Sequence, residues 1–216
     1  MRRLWRNAGI ALASAAVTVI VFELAREKDS LAFRWSMATG YTSVGLIGLA
    51  LLLGPLWVMQ GRRVPTSADV RRDVGLWGAA YALLHVVTGL QVHMRGDMLN
   101  YFLYRPRDGV HLLPLRLDPF GLANWTGLAA TVLLVILMAI SNDRSLRALG
   151  PKRWKTLQQS TYVAAVLIAL HGIAFQLMDR RRVRFILLFG VILVTVTAMQ
   201  LYGSRRVGAA RDKPAV

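Results

Sequence analysis

Six stretches of about 20 predominantly apolar residues constrain this chain more than any other feature, because that is the length of helix needed to cross about 30 Å of hydrocarbon. They fall at roughly residues 8–25, 37–60, 73–92, 121–141, 157–178 and 183–202 of the 216. In lipid every backbone polar group must find a partner within the protein, so such runs become helices or closed barrels, and the sequence has no alternating ten-residue pattern of the barrel kind. The expected fold is all-α: six transmembrane helices forming a single domain over residues 1–216, with one longer connection from about Gln91 to Phe120. The first run follows Arg2, Arg3 and Arg6, as a signal peptide would. It continues through Val19, Ile20, Val21, Phe22 and Leu24 without a small-residue cleavage site before Arg26, Glu27, Lys28 and Asp29, so a true span is the better reading.

Composition narrows the function classes. With 55% apolar and 18% charged residues and a mean hydropathy of +0.44, the chain does not read as a soluble enzyme domain. It has no Cys, which excludes a cluster or thiolate metal site on this chain, covalently attached c-type haem and any disulfide. The net charge of +16 could point to nucleic acid, but Lys and Arg flank the apolar runs instead of forming one patch, so no nucleic acid partner is expected. Their distribution carries topology. With the amino terminus inside, the cytoplasmic pieces hold 16 of the 27 basic residues, including Arg62, Arg63, Arg71, Arg72, the Arg144–Lys155 loop and Arg205 to Lys213; four of the other 11 lie in the turn at Arg180, Arg181, Arg182 and Arg184. Both termini are expected on the cytoplasmic side. The loop and turn are read as contacts to lipid head groups before partner docking sites.

Two of the four His lie deep in spans, His85 in the third and His171 in the fifth. An imidazole in hydrocarbon is costly unless bonded, so each is a functional candidate, although a lone His bonding a neighbouring carbonyl is an equal reading. Their depths favour function. His85 is 12 residues past Asp73 and His171 is 14 past Leu157, which at 1.5 Å per residue puts both about 18 to 21 Å from the cytoplasmic end. Two parallel helices can then oppose their imidazoles across a gap, as a six-coordinate b-type haem requires. Gly78, Ala82, Thr88 and Gly89 share the helical face of His85, with Tyr81 adjacent; these small residues would leave room for a macrocycle, or simply let two helices pack closely. His93 and His111 read as interfacial or solvated loop residues, and the sequon Asn124-Trp-Thr126 carries no weight at the mouth of a span.

Several segments follow one another in a known order. Thr39-Gly40 opens a span ending in Leu53-Gly-Pro55; Arg71-Arg72-Asp-Val-Gly75 precedes Tyr81-Ala-Leu-Leu-His85; Leu149-Gly150-Pro-Lys-Arg-Trp154 precedes Tyr162 to His171. Over about residues 37–178 this resembles the ferric-reductase-like transmembrane domain family, nearest its MsrQ (YedZ) branch of haem-binding membrane subunits. The resemblance implies a six-helix bundle with haem b between the third and fifth spans, His85 and His171 as metal ligands of one outer site, and Gly78, Tyr81, Ala82 and Gly89 around the cofactor. It also implies a bacterial cytoplasmic membrane, a partner redox protein as acceptor and a partner's flavin as donor; a quinol reaching into the bilayer is the other donor, because the absence of inner ligands described next leaves a gap of about 20 Å. One departure stands out: the family's inner His on the fifth span is here Gln158, and the third span offers Arg71 and Arg72 where two-haem relatives carry a further His.

The expected function is therefore an electron-transfer subunit passing electrons through one bis-His haem near the outer face. The chain shows no nucleotide-binding glycine motif, nucleophile–base pair or carboxylate pair, so it reads as part of an oxidoreductase system and not as a complete enzyme. The alternative is a structural or accessory subunit of a larger respiratory or photosynthetic membrane complex, which Gln158 favours. A metal or haem transporter would call for more intramembrane acids than Glu23 near one span end.

Overall fold

The computed structural model describes residues 1–25, 30–61, 69–94, 97–105, 109, 113–179 and 181–211. Expectations that concern Arg26 to Asp29, Arg62, Arg63, His111, Arg180 and Lys213 lie outside the described residues. Seven α-helices follow in order: α1 (Arg2–Leu24), α2 (Leu31–Met59), α3 (Asp69–Gly89), α4 (Pro119–Ile140), α5 (Asp143–Gln158), α6 (Ser160–Met178) and α7 (Val183–Arg211). By length and apolarity α1, α2, α4, the α5–α6 run and α7 can each cross a membrane. The sixth long helix, α3, has its average lowered by Asp69, Arg71, Arg72 and Asp73 in its first turns. The protein is thus an all-α, multi-pass membrane bundle.

Local chemistry sets the helix ends. Ser30 caps α2 by accepting from Phe33 N, Asp118 caps α4 by accepting from Gly121 N with Pro119 at the first helical position, and Asn142 caps α5 on Ser145 N. α1 and α7 extend past their apolar runs into basic residues, whose long side chains can reach the polar interface.

One expectation is corrected here. The stretch before the fifth span is not an open loop: it is α5, an amphipathic helix that buries Trp154 and leaves Arg144, Arg147, Lys152, Arg153 and Lys155 exposed. It was hidden because Pro151 removes a helical donor; the kink is absorbed by Gly150, whose φ of 73° only glycine adopts without strain. The described part of the long connection between α3 and α4 carries local structure. It forms a short 3₁₀ turn (Met98–Tyr101) and an antiparallel bridge between Leu103 and Leu115.

Packing makes two halves. α2 lies against α1, α3 and α7, and α4 pairs with α6, whereas α3 and α6 barely touch. Polar ties fix the first half. Asp73, 1% exposed, accepts from Arg3, Arg6 and Asn7, and Trp77 Nε1 donates to Asn7 Oδ1 at 3.0 Å, so the start of α1 is pinned to the start of α3. Removing those partners would leave a buried charge alone, at a cost of about 3–5 kcal/mol. Thr18 and Thr42 hydroxyls meet at 2.9 Å between α1 and α2. The outward faces carry Val163, Val166, Leu170, Leu187, Val191 and Val194, all exposed, as lipid contact requires. Between the halves, Ile47, Leu51, Ala79, Leu134 and Ala164 form a buried apolar cluster. One cavity lies on each side of it, and Leu134 lines both.

Candidate functional site

At the end of the bundle away from the two termini, called outer below and the opposite end inner, the gap between the halves opens into an apolar cavity of about 240 Å³, into which α3 brings His85 and α6 brings His171. The two imidazole centroids are 6.1 Å apart with ring planes at 81°. That separation is close to the roughly 6.2–6.4 Å that two metal–nitrogen bonds of about 2.0–2.1 Å, plus about 1.1 Å from each nitrogen to its ring centre, would span. It is too wide for a hydrogen bond between the rings.

Each ring is oriented by a carbonyl from the helix across from it. His85 Nδ1 donates to Ser36 O on α2 at 2.9 Å, and His171 Nδ1 donates to Ala123 O on α4 at 2.8 Å. A carbonyl can only accept, so each Nδ1 carries the proton and each Nε2 keeps its lone pair. Neither Nε2 has a hydrogen-bond partner among the described residues. This is the tautomer a metal-ligating His takes when its other nitrogen is held by a second-shell acceptor.

Close approach of each ring depends on a glycine in the opposing helix. A Cβ on Gly40 would lie 2.9 Å from His85 Nδ1, and one on Gly127 would lie 2.6 Å from His171 Nδ1. Any side chain at these positions would push the imidazole off its carbonyl. Sequence reading missed both, since a glycine in a membrane helix signals only close packing; the one available clue was its place in a span that must face a His-bearing helix.

The residues expected around His85 divide. Ala82 and Gly89 line the cavity, whereas Gly78 and Tyr81 do not. Gly78 serves helix packing: a Cβ there would come within 2.9 Å of the Ile47 side chain, and its carbonyl accepts from Ser43 Oγ at 2.9 Å. Thr88 donates to Leu84 O in its own helix. His93, read from the sequence as an interfacial or solvated residue, lines the mouth of the cavity. Its ring stacks on Phe175, which lies 4.9 Å from the His171 ring, and its Nε2 is 3.7 Å from Asp179 Oδ2. Burial lowers the His93 pKa from the usual imidazole value, Asp179 raises it, and the Arg181 guanidinium lowers it again. Above the mouth, the buried Tyr101 hydroxyl donates to Gly89 O and accepts from His93 N, tying the outer connection to the end of α3. Among the described residues no cluster of three or more His, Cys, Asp or Glu could hold an ordinary metal ion. The donor set is two neutral imidazoles in an apolar slot, which fits the axial positions of a non-covalently held macrocycle better than a tetrahedral or carboxylate-bound ion.

Gln158, at the inner end of this helix pair, donates from Nε2 to Ser141 Oγ at 3.1 Å and lines the second, inner cavity. No imidazole lines that cavity.

Comparisons with known proteins agree with this architecture. The magnetosome protein MamZ of Magnetospirillum gryphiswaldense is 33% identical over 128 residues, which is 58% of this chain and 17% of that protein. The protein-methionine-sulfoxide reductase heme-binding subunit MsrQ of Polaromonas naphthalenivorans is 32% identical over 134 residues, 62% of this chain and 54% of that protein. MsrQ of Deinococcus radiodurans is 32% identical over 133 residues, with 62% and 58% covered. The chain therefore spans little more than half of these MsrQ proteins and a small part of MamZ. The family model described as "Ferric reductase like transmembrane component" matches residues 39–169, and the chain belongs to that family.

Proposed function

We propose that this protein is a haem b-binding electron-transfer subunit of a bacterial cytoplasmic membrane redox system, with His85 and His171 as the two axial ligands of a single haem in the outer cavity. The observation that carries the reading is the pair of opposed imidazoles, 6.1 Å apart, each held by its Nδ1 on a carbonyl of the facing helix. The haem-binding name of the MsrQ relatives supports the cofactor.

In this reading the bound group supplies a one-electron couple, ferric to ferrous. The chain supplies orientation, since Ser36 O and Ala123 O fix the two rings, and it excludes water with Val44, Val86, Ile168 and Phe189 around the slot. Phe175 and the stacked His93 lie between His171 and the cavity mouth, where a partner redox protein would accept the electron that the bound group would supply. Both termini are cytoplasmic, and the donor is a quinol or a partner's flavin. No substrate is transformed by the chain alone.

Reduced-minus-oxidised spectra of the purified protein test the assignment. Low-spin haem b bands are expected in the wild type and are lost in His85→Ala and in His171→Ala. Intact bands in both variants would overturn the ligand pair.

A second reading has its own observation. Gln158 is 13 residues before His171, about 20 Å along a helix, and no imidazole lines the inner cavity. An accessory subunit of a larger membrane complex, keeping one haem without crossing the bilayer with electrons, would look like this. Copurification with such a complex, with no haem reduction by quinol or reduced flavin, would favour it.

A further inference from the structure

Among the described residues lining the outer cavity, one carries a fixed charge: Arg181, from the turn between α6 and α7. No carboxylate is among them. A guanidinium held against apolar walls loses hydration that other groups must replace. The Arg181 side chain is 12% exposed, and two of its contacts differ sharply in strength. Its Nη2 donates to Asp179 Oδ2 at 2.6 Å, a charge-assisted bond, whereas its Nη1 meets the Met37 sulfur at 2.8 Å; its Cζ lies 4.5 Å from the centre of the Phe33 ring. A thioether is a weak acceptor, so the Nη1 side of the guanidinium gains most when an anionic oxygen takes the place of the sulfur. Asp179 is not among the lining residues and holds the guanidinium from outside the cavity. The opposite end of the cavity, lined by Ala130, Thr131, Leu134 and Ile168, offers no cation.

Haem b carries two propionate side chains on one edge of the macrocycle. Burying a carboxylate away from any cation is costly, so the position of the cation directs that edge. We infer that Arg181 binds a carboxylate of the macrocycle and thereby turns its propionate edge toward the outer mouth. The inference rests on the haem reading above and extends it to a residue beyond the end of the helix that carries His171. The five donors and planar fork of the guanidinium let it hold a carboxylate while Nη2 stays on Asp179.

The test loads the full chain in detergent with iron protoporphyrin IX or with its dimethyl ester, whose carboxyl groups are capped, and follows release of each to excess apomyoglobin by absorbance. The ester is expected to leave the wild type at least about tenfold faster than the free acid, the factor that loss of one charge-assisted hydrogen bond gives. Arg181→Gln is expected to release both forms at one rate, that of the ester from the wild type, with low-spin bands retained because both imidazoles are untouched. Asp179→Asn, which removes the other anion from Arg181, keeps the preference for the free acid. Equal losses in Asp179→Asn and Arg181→Gln would place the effect in the shape of the turn and overturn the proposal, as would a preference that survives in Arg181→Gln. The wild-type comparison needs no variant, so it decides the question even where Arg181→Gln does not fold. Equal release of acid and ester from the wild type, both with low-spin bands, would overturn the role of Arg181 and leave the two axial ligands standing. Failure of the wild type to take up either form would overturn the haem reading and this inference together.

Discussion

The outer and inner cavities differ little in size, about 240 and 190 Å³, and share a wall at Leu134, yet imidazoles line the outer one alone, which has one cation, Arg181, where the inner has three. The outer one presents two lone-pair donors with the protons turned away onto carbonyls. The inner one presents two amides, Gln158 and Gln159, and three cations, Arg71, Arg72 and Lys155. Space for a ligand is therefore common to both ends of the bundle, and what distinguishes them is whether a metal ion could be bound. A soft, neutral donor pair favours iron; guanidinium and ammonium groups repel it and attract anions.

Substitutions can break that contrast at either end. The largest effect is expected from Gly127→Ala, whose new Cβ would sit 2.6 Å from His171 Nδ1 and must displace the ring. Haem occupancy falls sharply, and thermal unfolding of the apoprotein reports an overpacking cost of about 1–3 kcal/mol. Gly40→Ala, at 2.9 Å from His85 Nδ1, has the same direction and a smaller size, whereas Gly45→Ala on the same helix meets nothing within 4 Å and leaves the spectrum unchanged. Equal behaviour of Gly40→Ala and Gly45→Ala would show that the glycine does not make room for the imidazole.

At the inner end, Gln158→His supplies one ligand but no opposing one, because α3 offers Arg71 and Arg72 there. A haem-to-protein ratio that stays at the wild-type value is the expected result. A ratio that doubles would mean the inner cavity differs from the outer by a single residue.

The smallest effect concerns His93. Burial depresses its pKa below the usual 6.5, with Asp179 opposing and Arg181 adding to the shift. The folded state then binds fewer protons than the unfolded one, so the stability associated with neutral His93 is complete above about 6.5 and declines as pH falls toward the folded value. Thermal melts of His93→Gln should show a flatter pH dependence than wild type across that window, and an identical slope would contradict the placement of His93 at the mouth.

Much of this architecture was legible in the sequence because membrane physics leaves few options: length and apolarity alone locate α1, α2, α4, α6 and α7. Level His85 and His171 could be matched by counting residues, since helical rise converts sequence position into depth. α5 was not legible, because Gly150-Pro151 and five basic residues imitate a loop, and only the burial of Trp154 reveals its inward face. Gly40 and Gly127 were invisible for a different reason. Their role depends on which atom faces them across a helix interface, and sequence spacing within one helix carries no such information. Gly78 failed in the opposite sense: its helical phase was compatible with the His85 face, but Ile47 from α2 occupies the space beside it.

The most direct test of the paired-imidazole account is electron paramagnetic resonance of the oxidised protein. Two axial imidazoles with planes near the observed 81° predict a strongly anisotropic low-spin ferric signal, present in the wild type and absent from His85→Ala and His171→Ala. A high-spin signal, or a low-spin signal that survives loss of either His, would contradict it.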